Sequence, residues 1–347
     1  MAMYWLGAEH HCRYYSRVKA LAPAELLGKQ LAQKLIAPTL FAVLVYAALL
    51  FYGDYRAIGE ALRALSARAA LIGLALSLAN FLIRGFRWHY YLRLKELALP
   101  LRHTMVIFIA GLGMSITPGK VGEVLKSLLL KEHFDVPIAI SAPIVVAERV
   151  MDAGALITLG CVGLAYLQSP WLALAALVAG VGTFFLFGKS RWLVLRLVTL
   201  LTRIRRIAPF REKLLAAHAS LFELWTVKAF SLSMLMSLIA WGMQAAIVIV
   251  FAEELGALVT PAEASVAYSA PLLAGTLAFL PGGLGLTEAS MAGTLRALSS
   301  VAPSAAATIT ILTRGATFWF ATVIGLTALF AYRRDRASRA SSSSSRA

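Results

Sequence analysis

Long apolar stretches separated by short polar connections run through almost the whole chain. Six of these stretches are unbroken and long enough to cross a hydrocarbon core, which takes about 17 to 25 helical residues. They lie at about residues 36 to 52, 69 to 86, 141 to 167, 171 to 187, 230 to 252 and 305 to 331. This pattern predicts an all-α polytopic membrane protein with about six transmembrane helices.

Two further apolar stretches, 104 to 131 and 264 to 297, are each interrupted by a short run rich in Pro and Gly. The runs are near copies of each other, Thr117-Pro-Gly-Lys-Val-Gly122 and Leu280-Pro-Gly-Gly-Leu-Gly285. Pro removes a backbone donor and Gly tolerates non-helical dihedral angles, so each run is expected to break its helix. Each half is then too short to span the bilayer, and we expect two re-entrant helix pairs whose broken backbone faces a polar cavity.

Basic residues are concentrated in four parts of the chain, which the positive-inside rule assigns to the cytoplasm. These parts are the N-terminal segment 1 to 34, the connections 84 to 103 and 188 to 228, and the tail from Arg333. The connection around 253 to 263 carries glutamates and no base, so we expect it on the outer side. Both termini are therefore expected in the cytoplasm.

The same assignment makes the two broken stretches enter the membrane from opposite sides, 104 to 131 from the cytoplasm and 264 to 297 from outside. The chain then reads as an inverted repeat of span, re-entrant pair and span. Repeat 1 is expected at about 69 to 167 and repeat 2 at about 230 to 331, within a transmembrane domain that covers 35 to 332. Arg149 and Arg314 stand at similar depths in the last span of each repeat.

Composition also predicts the segments around these repeats. The 188 to 228 segment mixes short apolar runs with Arg and Lys, which is typical of an amphipathic segment that lies on anionic inner-leaflet lipids. Residues 333 to 347 end in a serine run and are expected to form a disordered cytoplasmic tail. Such basic loops explain most of the formal net charge of +16. Nucleic-acid binding is disfavoured, because no nucleic-acid module fits between the spans.

Ionisable residues inside a bilayer cost about 2.5 to 3.5 kcal/mol each on insertion scales, which makes them candidates for function. Glu148, Arg149 and Asp152 share one predicted span, where they form either an internal ion pair or part of a substrate site. Arg314 has no acidic residue within one turn of its own helix. Its candidate partners are therefore Glu288 and an anionic ligand.

Residues beside the two breaks are a second group of candidates, because a half-helix N-terminus exposes unpaired N–H groups and favours anions. Glu123 and Glu288 follow the breaks and either cap their own half-helices or handle substrate or protons. Lys120 and Lys126 either extend to lipid headgroups or add to a phosphate site.

Two arginines lie at the end of the span 69 to 86. Arg84 is placed deep enough to face the first break, whereas Arg87 beside Trp88 is interpreted as an interface anchor. The predicted substrate-binding set is Arg84, Pro118, Gly119, Lys120, Gly122, Glu123, Lys126, Glu148, Arg149, Asp152, Pro281, Gly282, Gly283, Gly285, Glu288 and Arg314. The six histidines do not stand at metal-ligand spacing, and neither a metal site nor a cofactor is predicted.

In combination these motifs resemble the lysylphosphatidylglycerol synthase transmembrane-region family, flippase-like membrane proteins that include the membrane half of multiple peptide resistance factors. The resemblance covers about residues 35 to 332. It rests on Arg84-x-x-Arg87-Trp88, Thr117-Pro-Gly-Lys-Val-Gly-Glu123, Glu148-Arg149-x-x-Asp152, Pro281-Gly-Gly-Leu-Gly285 with Glu288-Ala289, and Arg314. It implies a protein of the cytoplasmic membrane that, like the best-understood relatives, moves an aminoacylated phospholipid between leaflets. The soluble aminoacyl-transferase domain of the resistance factors has no counterpart in the sequence, so lysyl transfer is not expected.

The leading hypothesis is a transporter or flippase for an anionic or aminoacylated phospholipid or a related lipid. Arg149 and Arg314 would receive the headgroup, and rocking of the two halves would give alternating access. The alternatives are a membrane-embedded transferase that uses Glu123, Glu288 or Asp152 as acid or base, and an accessory subunit of hopanoid or polyprenyl-phosphate glycan synthesis. The outer loops are short and nearly bare, which argues against an enzyme, because such catalysts usually display polar loops for the donor. Lipid is the expected partner, and a homo-oligomer is left open.

Overall fold

A computed structural model describes residues 55 to 115, 117, 124 to 167, 226 to 278 and 280 to 344, with isolated helical positions at 44, 171, 174, 178, 196 and 199. The chain divides into two compact units, Met1–Val43 and Leu44–Ala347. The first unit lies outside the described residues, as does almost all of the segment 188 to 228. Within the described residues every regular element is a helix.

Ten α-helices make up the described part of the second unit. They are α1 Tyr55–Ala64, α2 Ala67–Leu94, α3 Leu101–Leu112, α4 Leu125–Phe134, α5 Ile138–Leu167, α6 Val227–Glu254, α7 Pro261–Leu277, α8 Leu286–Ser299, α9 Pro303–Arg314 and α10 Phe320–Ser344. A five-residue π-helix, Gly315–Trp319, joins α9 to α10. The helix α10 continues to Ser344, into the stretch expected to be a disordered tail, because Arg and Ala there are good helix formers.

Four described segments are long and apolar enough to cross a membrane: α2, α5, α6 and Pro303–Arg334. They coincide with the predicted spans 69 to 86, 141 to 167, 230 to 252 and 305 to 331. The other two predicted spans, 36 to 52 and 171 to 187, lie outside the described residues apart from single helical positions. The structure therefore supports a multi-pass membrane protein.

Both Pro-Gly runs fall between helices, the first between α3 and α4 and the second between α7 and α8. In the second run Gly282, Gly283 and Gly285 have φ angles of 61°, 70° and 87°. An L side chain is strained at such angles, which explains the choice of glycine. The first run from Pro118 to Glu123 lies outside the described residues, so the predictions for Pro118, Gly119, Lys120, Gly122 and Glu123 stay predictions.

The helix boundaries of the first half recur in the second half at a constant distance. Helices α2 and α6 each have 28 residues, and they start 160 positions apart, at 67 and 227. Their N-caps Ser66 and Thr226 accept hydrogen bonds from the backbone N–H groups three residues on. After each helix comes a left-handed residue, Glu96 or Gly256, and α3 and α7 start at 101 and 261.

The recurrence continues after the breaks, with a separation of 165 positions. Helices α4 and α8 end before the left-handed residues Asp135 and Ser300, whose φ angles are 54° and 51°. Helices α5 and α9 then start at 138 and 303. At this separation Arg149 is equivalent to Arg314. The larger separation reflects five extra residues in the second half, three between the start of α7 and Pro281 and two between Pro281 and Glu288.

The equivalent helices α2 and α6 pack against each other in antiparallel directions. The backbone N–H of Ser66, at the start of α2, donates to Oε1 of Glu254 at the end of α6 at 2.8 Å. At the middle of both helices Asn80 Nδ2 donates to the carbonyl oxygen of Ala240 at 2.7 Å. Helix α5 packs on α7, and α3 packs on α10, where a Cβ built on Gly113 would lie 2.7 Å from the backbone of Gly325.

Candidate functional site

A carboxylate from α5, Asp152, lies at the centre of a buried cluster formed by α2, α5 and α6. Its Oδ1 accepts hydrogen bonds from Arg87 Nη2 at 2.8 Å and from Trp241 Nε1 at 3.0 Å. Its Oδ2 lies 3.2 Å from Arg84 Nη2 and 2.9 Å from Arg149 Nη2. One carboxylate therefore contacts three guanidinium groups.

The interpretation of Arg87 as an interface anchor is wrong. Its side chain is fully buried and, besides Asp152, it donates to the hydroxyl of Ser237 on α6. The charge of Arg87 is offset by a carboxylate 65 positions away in sequence, which no local pattern indicates. Arg84 lies three residues earlier on the same face of α2 and points into the protein, as one of the two interpretations expected.

A second buried ion pair joins Lys126 of α4 to Glu148 of α5, with 2.5 Å between Nζ and Oε2. The ammonium also lies 4.7 Å from the ring centroid of Trp88 and 5.0 Å from that of Phe108, at the distances of cation–π contacts. Lys126 is only 1% exposed. It does not extend to lipid headgroups, and Glu148 pairs with it rather than with Arg149.

The third ion pair lies at the second break, where Arg314 Nε donates to Glu288 Oε1 at 2.6 Å. Arg314 Nη2 also donates to the carbonyl oxygen of Gly282 at 2.9 Å. The other oxygen of Glu288 accepts from the backbone N–H of Gly285 at 2.7 Å. Glu288 therefore caps its own half-helix and also holds Arg314, and Arg314 fixes the loop to α9. The π-helix follows directly, a distortion that frequently marks functional sites.

A cavity with about 520 Å³ of empty space, part of it open to the surface, lies between these clusters. Arg84 from the first half and Arg314 from the second half both line it. The other polar lining residues include Asn80, Ser115, Gln244, Tyr268 and Thr317. No carboxylate or histidine of the described residues is among the lining side chains, but Asp152 and Glu288 pair with the two lining arginines.

Three carboxylates, Glu148, Asp152 and Glu288, pair with the cations of these clusters, Arg84, Arg87, Lys126, Arg149 and Arg314. Charges removed from water need a counter-charge to be stable. These ion pairs therefore hold the cationic side chains in place inside the protein.

Most of the predicted site residues that the structure describes lie close together, but not all of them have the expected roles. Arg84, Gly282 and Arg314 line the cavity, whereas Arg149 contacts Asp152 and is not a lining residue. Sequence reasoning missed a further set of residues: Asn80, Arg87, Trp241, Gln244 and Tyr268. Asn80 and Gln244 left a signal, since an amide in the middle of an apolar span is rare and costly. The described residues hold no group of His, Cys, Asp or Glu suited to a metal ion.

The helices define a multi-pass membrane protein, and two of its buried arginines line one cavity. The chain belongs to the family described as the lysylphosphatidylglycerol synthase TM region, whose model matches residues 37–325. Comparison with curated proteins finds no matching relative. Membership connects the chain with lipid modification or transport in a membrane.

Proposed function

We propose that this protein moves an anionic or aminoacylated phospholipid, or a related lipid, between the leaflets of the cytoplasmic membrane. The observation that carries the proposal is the joint lining of one cavity by Arg84 and Arg314, one from each half of the chain. Two fixed guanidinium groups facing one cavity suit the phosphate of a lipid headgroup. A headgroup bound there is shielded from the hydrocarbon core.

An inverted repeat would allow the change of conformation that carries the headgroup across the membrane. Its support is that α2 and α6, which hold equivalent positions 160 residues apart, run antiparallel. Equivalent helices that run in opposite directions fit two halves related by an axis in the membrane plane. On this arrangement the α3–α4 pair enters from the cytoplasm and the α7–α8 pair from outside. Rocking of the halves opens the cavity to each side in turn.

The proposal places six spans in the membrane and both termini in the cytoplasm. It also assigns transport rather than catalysis to the cavity. Arginine stays protonated at all accessible pH values and does not serve as a general acid or base. The carboxylates nearest the cavity, Asp152 and Glu288, each accept charged hydrogen bonds from arginine, and neither side chain lines the cavity.

Replacing Arg84 with Gln tests the role of the cavity directly, because Gln is the residue at the equivalent position 244. We expect transfer of a fluorescent anionic phospholipid in proteoliposomes to fall at least about tenfold, corresponding to loss of about 1.4 kcal/mol of binding in the transfer step. Dithionite quenching of the outer leaflet measures the transfer. The matched control is Arg93→Gln, an exposed arginine on the same helix.

Two results would count against the proposal. One is transfer by the wild-type protein no faster than in protein-free liposomes. The other is an Arg84→Gln variant that transfers lipid at the wild-type rate.

A further inference from the structure

The last described span, Pro303–Arg334, changes from α-helix to π-helix and back at Gly315–Trp319. In a π-helix each backbone N–H donates to the carbonyl five residues earlier instead of four, and long helices kink at such turns. The hydroxyl of Thr317 donates to the carbonyl oxygen of Thr313 at 2.7 Å, a side-chain bond that often accompanies a bend. This turn is therefore the point at which the span bends most easily.

The π-helix lies where the span passes from one half of the protein to the other. Before it, Arg314 is bonded to Glu288 of the second half, and α9 packs against α8 and α6. After it, α10 packs against α3 of the first half, where Gly325 and Gly113 lie too close for either to carry a side chain. A relative movement of the two halves therefore acts on the helix between Arg314 and Gly325.

Helix α5 makes the equivalent crossing without a π-helix. Glu148 binds it to α4 of the first half, and Gly160, the equivalent of Gly325, packs against α7 of the second half. Between these contacts residues 150 to 154, equivalent to 315 to 319, form regular α-helix. The two halves therefore show the same crossing in two backbone forms, and both forms fit it.

Bending at the π-helix would change the cavity, because Thr317 and Phe318 line it. The ring centroid of Phe318 lies 4.4 Å from the guanidinium carbon of Arg314, and a side chain at Gly282 would collide with this ring. At Gly315 the surroundings are open, since outside its own helix no atom of the described residues lies within 4 Å of a Cβ built there. The helix has room to bend at this residue.

We propose that Gly315–Trp319 is the joint at which the last span bends when the two halves move, with Gly315 as its hinge residue. Hinges consist of a few residues, which are often small. The inference rests on the proposed function, because the joint is a moving part of alternating access. When it bends, Phe318 moves at the wall of the cavity while Arg314 stays bonded to the second half.

Gly315→Ala tests the joint, because Ala fits the open space and favours a regular α-helix more than Gly does. We expect lipid transfer in proteoliposomes to slow about fivefold, the factor that corresponds to this difference in helix propensity. Binding of phosphatidylglycerol, measured by native mass spectrometry, should stay unchanged, because Gly315 does not line the cavity. The matched control is Gly242→Ala, at a half-buried glycine of α6 with equally open surroundings, which should keep the wild-type transfer rate.

Hydrogen exchange measured by mass spectrometry is a second test and needs no variant. The backbone N–H groups of residues 315 to 319 should exchange faster than those of residues 150 to 154, because a joint that opens exposes its hydrogen bonds to solvent. In Gly315→Ala this exchange should become slower.

Transfer and exchange separate this inference from the proposed function. If the wild-type protein transfers lipid and Gly315→Ala is as fast as Gly242→Ala, the joint is overturned and transport stands. If the wild-type protein transfers no lipid, the transport proposal fails. Exchange at 315 to 319 that is as slow as at 150 to 154 would then overturn the joint as well, whereas faster exchange that Gly315→Ala slows would still support it.

Discussion

Replacing Asp152 with Ala is expected to destabilise the protein by about 3 to 5 kcal/mol, the largest effect we expect of any single substitution. Removing one partner of a buried ion pair leaves its counter-charge uncompensated. Here three guanidinium groups lose their shared carboxylate, and the side chains of Arg84 and Arg87 are 7% and 0% exposed. Trp241 also loses the acceptor of its N–H. Unfolding of the purified protein in detergent measures the loss.

The control for this substitution is Asp135→Asn, at an exposed left-handed residue after α4 that Asn tolerates. A double variant, Asp152→Ala with Arg87→Met, gives a second test. It also removes Arg87, the most buried of the three arginines that contact Asp152. It should recover part of the loss, since residues in direct contact have interaction energies of about 0.5 to 3 kcal/mol. A loss for Asp152→Ala no larger than that for Asp135→Asn would show that the arginines do not depend on this carboxylate.

Arg314→Lys is expected to reduce lipid transfer at least about tenfold while the protein stays folded. The guanidinium contacts two groups at once, Glu288 through Nε and the Gly282 carbonyl through Nη2. An ammonium is a single point charge without this fork, so it cannot hold both in the same geometry. The loop Pro281–Gly285 then loses its connection to α9, and the cavity loses one of its two guanidinium groups.

The control is Arg296→Lys, which makes the same change at an exposed position of α8. Transfer in proteoliposomes and thermal unfolding are measured on the same preparations. If Arg314→Lys transfers lipid as fast as Arg296→Lys, the fork of Arg314 has no part in transport.

The sequence predicts the elements better than the site. Apolar length depends on local composition alone, and this is why four predicted spans match α2, α5, α6 and the segment 303 to 334. The second break could also be placed, since three glycines within five residues indicate backbone that L side chains rarely adopt. Glu288 could be predicted as a candidate partner of Arg314, because Arg314 has no acidic residue within one turn of its own helix.

The ion pairs of the first half could not be predicted in the same way. Arg87 and Asp152 are far apart in sequence and meet only when α2 packs beside α5. The aromatic contacts of Lys126 with Trp88 and Phe108 likewise depend on packing between helices. The apparent depth of Arg149 suggested a ligand contact, but its guanidinium contacts Asp152 and it does not line the cavity.

The repeat is clearer in the backbone than in the side chains. Helix boundaries and left-handed residues recur at fixed separations, while Arg84 is equivalent to Gln244 and Asp152 to Thr317. The charged cluster therefore belongs to the first half alone. Residue identity gives only a weak signal of such a repeat. No sequence signal indicates that α2 and α6 contact each other.

Labelling of two equivalent positions from each side of the membrane tests the inverted arrangement most directly. Ala98 and Leu258 are exposed, follow α2 and α6, and lie 160 positions apart. Single cysteines are introduced there by Ala98→Cys and Leu258→Cys, with Cys12 and Cys161 both replaced by Ser. A membrane-impermeant maleimide should label Ala98→Cys only from the cytoplasmic side and Leu258→Cys only from the outer side. Labelling of both positions from the same side would contradict the inverted arrangement and the transport cycle built on it.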